Sequence, residues 1–520
     1  MAVAVIGMAC RARLSFPRPL IHCFRKTRRC SSVSVESPAN TWDAFGEVWL
    51  PTVATSKRES RTPQWKRMNS KDLGIKTSFI SAPAKFVLRE LKKKGYDVYL
   101  VGGCVRDMLL KKTPKDFDII TSADLKEVLE TFPRSHIVGK QFPVCLIHVK
   151  DTTVEVSSFA TSGRKLSRNM GHVSWKPPGC DGLDYIRWKN CSQRDFTVNG
   201  LMFDPCAELV FDYFDGLKDV RNAMIRTMIP ADISFTGDCA RILRAFRIAA
   251  RLGFRFSKEI TSSIKTLSWS VLRLNRGRIF MEMNYMLGYG SAQSSLRLLW
   301  RHGLLDLILP FQAAYFVSIG FRRRDKRSNM LLSLFSQLDK LVAPDKPCHG
   351  SLWVAILAFH KALAGRPRDP LVVAAFSLSV YSGGSLLESM KIARSARHPC
   401  DANFHELLEC QDLDTDELAK AILDLSASVR FALCEMTDEY SVSRAMSKYP
   451  KAPHSELVFI SSALSSRVSR MFECVGTFEA DGPISIRAKW IEYESLAAGT
   501  LQEVRRLFAR VVFDTVYPCA

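Results

Sequence analysis

The chain has 520 residues, of which 47% are hydrophobic and 24% charged, and its formal net charge at pH 7 is +22. This length allows roughly two to four domains, and the positive charge favours a polyanionic partner, above all nucleic acid. The 15 cysteines form no C-x-x-C pair and no apolar run reaches ~18 residues, which argues against a zinc ribbon and against a membrane-spanning helix.

The N-terminal segment has the composition of a targeting signal. Residues 1–35 contain several arginines and serines, and the first acidic residue is Glu36. Such a composition is typical of an organellar transit peptide; a disordered RNA-binding arm is the alternative. We expect residues 1–75 to be transit peptide and disordered linker, and the protein to be located in a chloroplast or mitochondrion.

Residues 76–220 alternate helix and strand signals. A helix is predicted from Ala82 to a stop at Gly95. Residues 160–192 are polar and without periodicity, and we expect a long loop there. The other predicted elements are strands in DVYLVGG, DFDIIT, HIVG, FPVCLIHV and TTVEVSSF, and helices in CVRDMLLKK and SADLKEVLETF. This pattern predicts an α/β head with a small mixed sheet.

From Asp238 onward the pattern becomes helical, as in DCARILRAFRIAARLGF and RGRIFMEMNYMLGYG. We expect one helical region over residues 221–315 and a second over residues 316–520. The second region carries no motif that points to a function. The predicted fold class is therefore an α/β head followed by all-α regions.

Two aspartates lie side by side in the predicted strand DFDIIT. Residues i and i+2 of a strand share a face, so Asp116 and Asp118 should project together. Two neighbouring carboxylates repel unless a cation lies between them, and oxygen ligands of this kind suit Mg²⁺. A turn followed by a helix N-cap is the structural alternative.

Residues on either side of the aspartates favour the metal hypothesis. Gly102 and Gly103 end a strand and precede a helix start with Arg106 and Asp107, an arrangement that lets backbone and guanidinium approach phosphate oxygens. A tight turn with a surface arginine is the alternative. Glu155 lies mid-strand between two valines that face the other side, as expected for a third acidic group that binds metal or accepts a proton.

Four motifs occur in order: LVGGCVRDMLLKKTPKDFDIITSA, RDFTVNGLMFD, DYFDGLKDV and DCARILRAFRIAARLGF. Over residues 84–310 the chain resembles the class II nucleotidyltransferases, which comprise bacterial-type poly(A) polymerases and CCA-adding tRNA nucleotidyltransferases. The resemblance suggests an organelle-targeted, plant-like member. It implies a polymerase-β-like nucleotidyltransferase head followed by helical neck, body and tail regions.

The resemblance also implies roles for the residues of the head. Asp116 and Asp118 would hold two Mg²⁺ ions, with Glu155 as the third acidic residue. The residues expected near the triphosphate and sugar are Gly102, Gly103, Arg106, Asp107, Arg194, Asp195 and Asn199. The family usually has two arginines at the start of the second motif, whereas this chain has Gln193 before Arg194.

Nucleotide choice is expected to depend on Asp238 and Arg241, which are three residues apart in a predicted helix. A carboxylate and a guanidinium together match the amino-plus-acceptor edge of adenine and of cytosine, so ATP and possibly CTP are the expected nucleotides. Gly237 stands where the family usually has an acidic residue, so we expect looser support for Arg241. Arginines on the same helix face suit triphosphate or RNA contact: Arg241, Arg244, Arg247 and Arg251.

The segment RGRIFMEMNYMLGYGSAQSSLRLLWRHGLLDLILP resembles the poly(A) polymerase branch more than the CCA-adding enzymes. We therefore expect addition of AMP from ATP to RNA 3′ ends, with RNA contacts in residues 221–315 and 316–520. CCA addition to tRNA is the first alternative. A non-catalytic RNA-binding paralogue is the second, motivated by Gln193 and Gly237.

Overall fold

Two kinds of structure follow one another in the computed structural model of this protein: a mixed sheet with helices, then helices almost alone. This confirms the predicted fold class. The structure describes the residue ranges 65–139, 143–161, 181–343, 346–395, 404–451, 455–476 and 491–518. The predicted transit peptide, residues 1–64 of the expected N-terminal segment, lies outside the described residues.

The head is built on an eight-stranded sheet in the order β1-β8-β7-β2-β3-β6-β5-β4. Only the β3–β6 pair is parallel, so the sheet is mixed. Its strands are β1 (Lys66–Asn69), β2 (Val98–Val101), β3 (Asp118–Thr121), β4 (Ser135–Val138), β5 (Val144–Val149), β6 (Thr152–Ser158), β7 (Met202–Asp204) and β8 (Leu209–Asp212).

Both faces of the sheet are covered by apolar side chains, because successive residues of each strand point to opposite faces. In β2, Leu100 joins the main hydrophobic core, while Tyr99 packs with Trp188 and Phe211 on the other face. The helices of the head are α1 (Ala82–Lys93), α2 (Gly103–Leu109), α3 (Leu125–Thr131), α4 (Gly182–Ser192) and α5 (Gly216–Arg221).

Two predictions for the head are wrong at its edges. Lys66–Asn69 is an edge strand paired antiparallel with β8, not part of a disordered linker. The end of the predicted loop, Gly182–Ser192, is a helix whose Trp188 packs on the sheet. Both segments are stabilised by contacts with the sheet, so their local sequence pattern alone does not indicate a strand or a helix.

The helical region follows the head and includes a two-stranded parallel ribbon of β9 (Met224–Ile225) and β10 (Arg255–Phe256), which flank its first two helices along the chain. Its helices up to residue 341 are α6 (Ala231–Gly237), α7 (Ala240–Leu252), α8 (Lys258–Leu267), α9 (Arg276–Leu287), α10 (Ala292–Arg301), α11 (Leu305–Ile308), α12 (Pro310–Ser318) and α13 (Met330–Leu341). The others are α14 (Gly350–Gly365), α15 (Pro370–Ser382), α16 (Leu386–Ser395), α17 (Thr415–Thr437), α18 (Glu439–Met446), α19 (Ser462–Glu473), α20 (Tyr493–Ala498) and α21 (Leu501–Val516).

The core of this region surrounds α14, a helix that is buried over nearly its whole length. Phe359 of α14 stacks on Phe376 of α15 and meets Phe508 of α21 edge-on, at ring-centroid distances of 5.9 and 5.6 Å. A helix that is apolar on all sides is stable in water only when other helices enclose it. Among the described residues, no helix combines the length and hydropathy needed to cross a membrane.

Candidate active site

The turn between β2 and α2 lies directly against a carboxylate. Gly102 has φ +79°, and a Cβ built there would lie 3.3 Å from Oδ2 of Asp118 and 3.1 Å from Nη1 of Arg194. Such a backbone conformation and such close neighbours together require glycine. Of the two glycines predicted to permit close approach, Gly102 does so, and the groups it approaches in this structure are Asp118 and Arg194.

The carboxylates of Asp118 and Glu155 come together through the parallel strand pair β3–β6. Asp118 begins β3 and is the register partner of Glu155 in β6, so both side chains point to the same face about 5 Å apart. Val154 and Val156 face the core, as predicted. Asp116 lies in the bend before β3 and is exposed. The prediction that one strand carries both aspartates is thus wrong, because Asp116 precedes the first residue that pairs with β2.

The pKa values of these acids show that the site concentrates negative charge. Burial raises the pKa of Asp118, the Arg194 guanidinium opposes this, and Asp116 adds to the rise. Although Glu155 reaches solvent, the surrounding sheet desolvates its carboxyl group, and that desolvation together with Asp118 and Asp116 raises its pKa. A cation is the species that would reverse these shifts.

The donor set fits a hard divalent cation such as Mg²⁺. Within the described ranges no three His, Cys, Asp or Glu side chains form a ready-made metal cluster. Mg²⁺ does not need one, since it is commonly bound through one or two carboxylates, waters and substrate phosphates. The absence of a side chain at Gly102 lets the backbone of the turn lie close to the Asp118 carboxylate.

A buried hydrogen-bond chain connects α2 to α7 through the segment that contains the second motif. Arg106 donates from Nη1 to Oδ1 of Asn199 at 2.6 Å and from Nη2 to Oδ1 of Asp107 at 2.7 Å. Asn199 donates to Oδ1 of Asp195 at 3.1 Å, and Arg244 Nη2 lies 2.7 Å from Oδ2 of Asp195. Five of the predicted nucleotide-binding residues are therefore brought together, and in this structure they bind one another.

Asp195 is the centre of this chain. Its burial alone would raise its pKa, but Arg244, Asn199 and the backbone N–H of Phe196 outweigh burial and hold the pKa below its usual value. Asp195 in turn raises the pKa of Arg244. Both groups stay charged, so the network fixes the position of α7 relative to the sheet.

Arg194 is available to a ligand in a way that Arg106 is not. Its Nη1 lies beside the glycine turn, as does Oδ2 of Asp118, and its buried Nε has no hydrogen-bond partner among the described residues. A buried donor without a partner is unusual. Arg194 is therefore a candidate to bind a phosphate oxygen beside the glycine turn.

Asp238 and Arg241 are neighbours, but not on one helix. Asp238 is exposed and precedes α7, where its Oδ1 accepts from the backbone N–H of Ala240 at 3.0 Å. Its Oδ2 lies 3.9 Å from Nε of Arg241. The predicted single helix is wrong because Asp238 ends α6 and helps to start α7.

The two departures from the family pattern do not loosen Arg241. Its Nη1 donates to Oγ of Ser234 and its Nη2 to the backbone carbonyl of Gln193, both at 2.9 Å. The contact with residue 193 uses the backbone, so it does not depend on the glutamine side chain. A Cβ at Gly237 would meet open space. The expected looser support for Arg241 is therefore not found.

The other two arginines of α7 differ in their surroundings, since Arg247 contacts side chains of α9 and Arg251 lies at the surface. Arg247 Nε lies 2.9 Å from Oε2 of Glu282, and Nη2 of Arg278 lies 3.0 Å from Oε1 of the same carboxylate. The Arg247 guanidinium also lies 5.0 Å from the ring centroid of Tyr285. Arg251 is exposed.

Sequence reasoning missed the part of the site on α9 and just after it. Glu282 is 1% exposed and Tyr285 follows it on the same helix. The ring centroid of Tyr289 lies 5.3 Å from Nζ of Lys115. Burial is the main cause that raises the pKa of Tyr289 to about 12, and Asp116 is among the charged groups that add to it. The i,i+4 pair Arg278–Glu282 was the available sequence signal, since such spacing places two side chains on one helix face.

Two family models match parts of the chain. Residues 98–226 match the model described as "Poly A polymerase head domain". Residues 253–316 match "Probable RNA and SrmB- binding site of polymerase A". The first match contains the carboxylates and the glycine turn, whereas Asp238 and Arg241 lie between the two matches.

Curated relatives carry two names. The chain is 28% identical over 296 residues to "Poly(A) polymerase I" of Haemophilus influenzae, 56% of this chain and 65% of that protein. It is 31% identical over 250 residues to the Escherichia coli protein of that name, 46% of this chain and 52% of that protein. It is 32% identical over 222 residues to the "CCA-adding enzyme" of Streptococcus pneumoniae, 43% of this chain and 52% of that protein. The chain thus spans between about half and two thirds of these relatives.

Among solved structures, the CCA-adding enzyme of Bacillus stearothermophilus in complex with CTP is similar to 76% of this chain and 83% of its own, with 23% identity and a TM-score of 0.43.

Proposed function

We propose that this protein is a template-independent RNA nucleotidyltransferase that adds AMP from ATP to RNA 3′ ends. The match of residues 98–226 to a poly(A) polymerase head-domain model supports the proposal. The observation that carries the proposal is the pairing of Asp118 with Glu155 beside the Gly102 turn. Neighbouring carboxylates with raised pKa values beside a glycine turn suit a site that binds metal and a nucleotide for nucleotidyl transfer.

The reaction is an in-line displacement at the α-phosphorus of the nucleotide. The RNA 3′-oxygen forms a new bond to phosphorus, the bond to the β-phosphate bridging oxygen breaks, and pyrophosphate leaves. Asp116 and Asp118 would hold Mg²⁺, which when bound activates the hydroxyl and neutralises charge on the leaving group. Glu155 lies beside Asp118, where it can bind metal or accept the hydroxyl proton.

Phosphate binding falls to the groups around the turn. The unpartnered Nε of Arg194 supports a contact to a phosphate oxygen. Arg106, Asp107, Asn199 and Asp195 act mainly by holding α2 and α7 in place through their own hydrogen bonds.

We assign base selection to the exposed Asp238, which lies between α6 and α7, and to the partly buried Arg241 in the first turn of α7. The exposed Asp238 carboxylate can accept from an exocyclic amino group. Arg241 is held by Ser234 and Gln193, so only a small rearrangement would be needed for it to donate to a ring nitrogen. Both ATP and CTP satisfy this pair.

Addition of AMP is favoured over CCA by the match of the head to a poly(A) polymerase model and by the two relatives named poly(A) polymerase. CCA addition is the second candidate, because a relative of similar identity is named a CCA-adding enzyme. A non-catalytic RNA-binding protein is disfavoured, since it would have no use for repelling carboxylates at one register position.

The deciding experiment offers each NTP with Mg²⁺ to the purified protein, using either a generic RNA or a tRNA that lacks its 3′ CCA. Long A-tails on generic RNA support the proposal, and C, C, A followed by a stop on tRNA supports the second candidate. Absence of incorporation on both substrates would overturn both. Asp116→Ala and Asp118→Ala should abolish incorporation while RNA binding is kept; normal turnover in either variant contradicts the metal site.

We also propose that the protein acts in an organelle, on the composition of residues 1–35. A fluorescent protein fused behind residues 1–75 should be imported into chloroplasts or mitochondria. The same fusion with arginines 11, 13, 18, 25, 28 and 29 changed to glutamine should remain outside both. Equal distribution of the two fusions would contradict the targeting proposal.

A further inference from the structure

Two histidines lie next to each other at one edge of the eight-stranded sheet, outside the residues assigned to catalysis. His136 is in the edge strand β4 and His148 in the neighbouring strand β5, and both are exposed. Leu146 of β5 is the register partner of His136. His148 follows Leu146 by two residues, so the two histidines are diagonal neighbours on the same face of the sheet.

The two imidazole rings are nearly parallel and contact each other through their nitrogens. Their planes differ by 22° and their centroids lie 5.2 Å apart. Nε2 of His148 lies 3.4 Å from Nδ1 of His136. This is long for a hydrogen bond of an N–H group, whose donor–acceptor distance is usually about 2.7–3.2 Å. The two nitrogens therefore form only a weak hydrogen bond with each other.

The same distance fits two ligands of one metal ion. Zn²⁺ binds imidazole nitrogens at about 2.0–2.1 Å in a tetrahedral arrangement, so two ligand nitrogens lie about 3.3–3.4 Å apart. The χ2 torsion of histidine is broad, and both rings are exposed. Rotation of the side chains alone can therefore aim both lone pairs at a shared ion.

A threonine on the next strand orients one of the rings. Thr153 of β6 is the register partner of His148, and its Oγ1 lies 3.1 Å from Nδ1 of that histidine. When Nδ1 donates its proton to this hydroxyl, Nε2 carries the lone pair on the side of His136. Histidines that bind metals usually have their second ring nitrogen held in this way. The Thr153 contact thus supports the tautomer of His148 that a metal ion requires.

We propose that His136 and His148 together bind one transition-metal ion of the Zn²⁺ class. Imidazole nitrogens suit Zn²⁺, Cu²⁺ and Ni²⁺, whereas Mg²⁺ prefers oxygen ligands. Because two side chains supply the protein ligands, water completes the coordination and the site stays open to a further ligand. The inference does not rest on the proposed function, which places its metal at the carboxylates.

The histidine pair shares a face of the sheet with the carboxylates of the candidate active site but is separate from them. Asp118, Glu155, Leu146 and His136 are successive register partners across β3, β6, β5 and β4. Three strand spacings of about 4.8 Å place His136 roughly 14 Å from Asp118. The two sites therefore differ both in position and in the type of ligand atom.

The test measures how fast diethyl pyrocarbonate modifies each histidine of the full-length protein, with the modified positions located by peptide mass spectrometry. Zn²⁺ at roughly ten times its dissociation constant should slow modification of His136 and His148 about tenfold, because only the metal-free fraction reacts. Mg²⁺ at the same concentration should not slow it. The control is His405, an exposed histidine of the helical region, whose rate should be the same with and without Zn²⁺.

Single variants distinguish one shared ion from two separate contacts. His136→Phe and His148→Phe each keep an aromatic ring that suits a strand but lack the ligand nitrogen. In each variant Zn²⁺ should no longer protect the remaining histidine. Thr153→Val removes only the hydroxyl that orients His148, and the Zn²⁺ concentration needed for protection should rise by about 10–100-fold.

Equal modification rates with and without Zn²⁺ in the parent protein would overturn the proposal, and this measurement does not depend on the folding of any variant. Protection of His148 that persists in His136→Phe would also overturn it, since the two histidines would then bind metal independently. Neither measurement uses RNA or nucleotide. A protein that shows the expected protection but incorporates no nucleotide would therefore refute the proposed function alone.

Discussion

Glu155→Gln should stabilise the metal-free head while it lowers nucleotidyl transfer. Desolvation by the sheet is the largest cause that raises the pKa of Glu155, and Asp118 and Asp116 add to it. The ionised carboxylate therefore destabilises the fold in the absence of a cation. A residue with only a structural role would show the opposite pattern, because its replacement lowers stability and activity together.

The magnitude follows from the strand register. Asp118 and Glu155 are partners on adjacent parallel strands, so their carboxylates lie roughly 5 Å apart. Two unit charges at about 5 Å repel by about 1 kcal/mol in water and about 3 kcal/mol at an effective dielectric of about 20. Because the Glu155 side chain reaches solvent, screening places the expected gain near the lower value, about 1 kcal/mol.

The gain should depend on pH with a defined sign. An acid whose pKa is raised on folding costs nothing when the pH is below its unfolded-state value of about 4.3. The cost develops as pH rises through that value and is complete above the raised folded-state pKa. The difference between variant and parent should thus be near zero in acid and fully present at pH 7.

Local stability is best read from hydrogen exchange of peptides that cover β3 and β6, because a chain of this size need not unfold in one step. Chelator keeps the site free of metal. The control is Asp151→Asn in the turn between β5 and β6, an exposed acid outside the cluster. Faster exchange in Glu155→Gln, or a gain independent of pH, would refute the repulsion between carboxylates.

Four further predictions concern the site and its supports. Gly102→Ala adds a Cβ within 3.3 Å of site side chains and about 1–3 kcal/mol of backbone strain. It should lose far more transfer activity than Gly95→Ala, because Gly95 has φ +87° but open space around its Cβ position. Equal losses in the two variants would contradict the close approach at Gly102. Glu282→Gln removes a buried carboxylate shared by two arginines and should lower the opening free energy of α7 and α9 by about 3–5 kcal/mol. Glu439→Gln breaks only an exposed pair between α9 and α18 and should change hydrogen exchange little. Asp238→Asn should raise UTP incorporation relative to ATP, and an unchanged ratio would count against base selection by this pair. Chelation should abolish transfer and Mg²⁺ restore it, with tighter Mg²⁺ binding at higher pH because the carboxylates must lose their protons; activity that survives chelation would rule out metal dependence.

Local sequence patterns determined most of the head. The strand Val98–Val101 and the glycine turn after it follow from an apolar run that ends in two glycines, and the alternation of Val154, Glu155 and Val156 fixes which face the carboxylate takes. The helix Ala82–Lys93 begins where predicted, with Ser81 as its N-cap and a proline in its first turn, and the predicted stop Gly95 follows its end with a positive φ. These features depend on contacts within about four residues, which a sequence shows directly.

Tertiary structure decided which of these features meet. Asp118 and Glu155 are 37 residues apart, and their pairing depends on the register of a parallel strand pair, which packing on both faces of the sheet selects. The same holds for Arg244 with Asp195 and for Arg247 with Glu282, where burial makes a partner necessary without indicating in the sequence which one it is. The sequence therefore identified the kinds of side chain that a metal and nucleotide site needs. Which of these side chains lie next to one another depends on long-range packing, which local spacing does not encode.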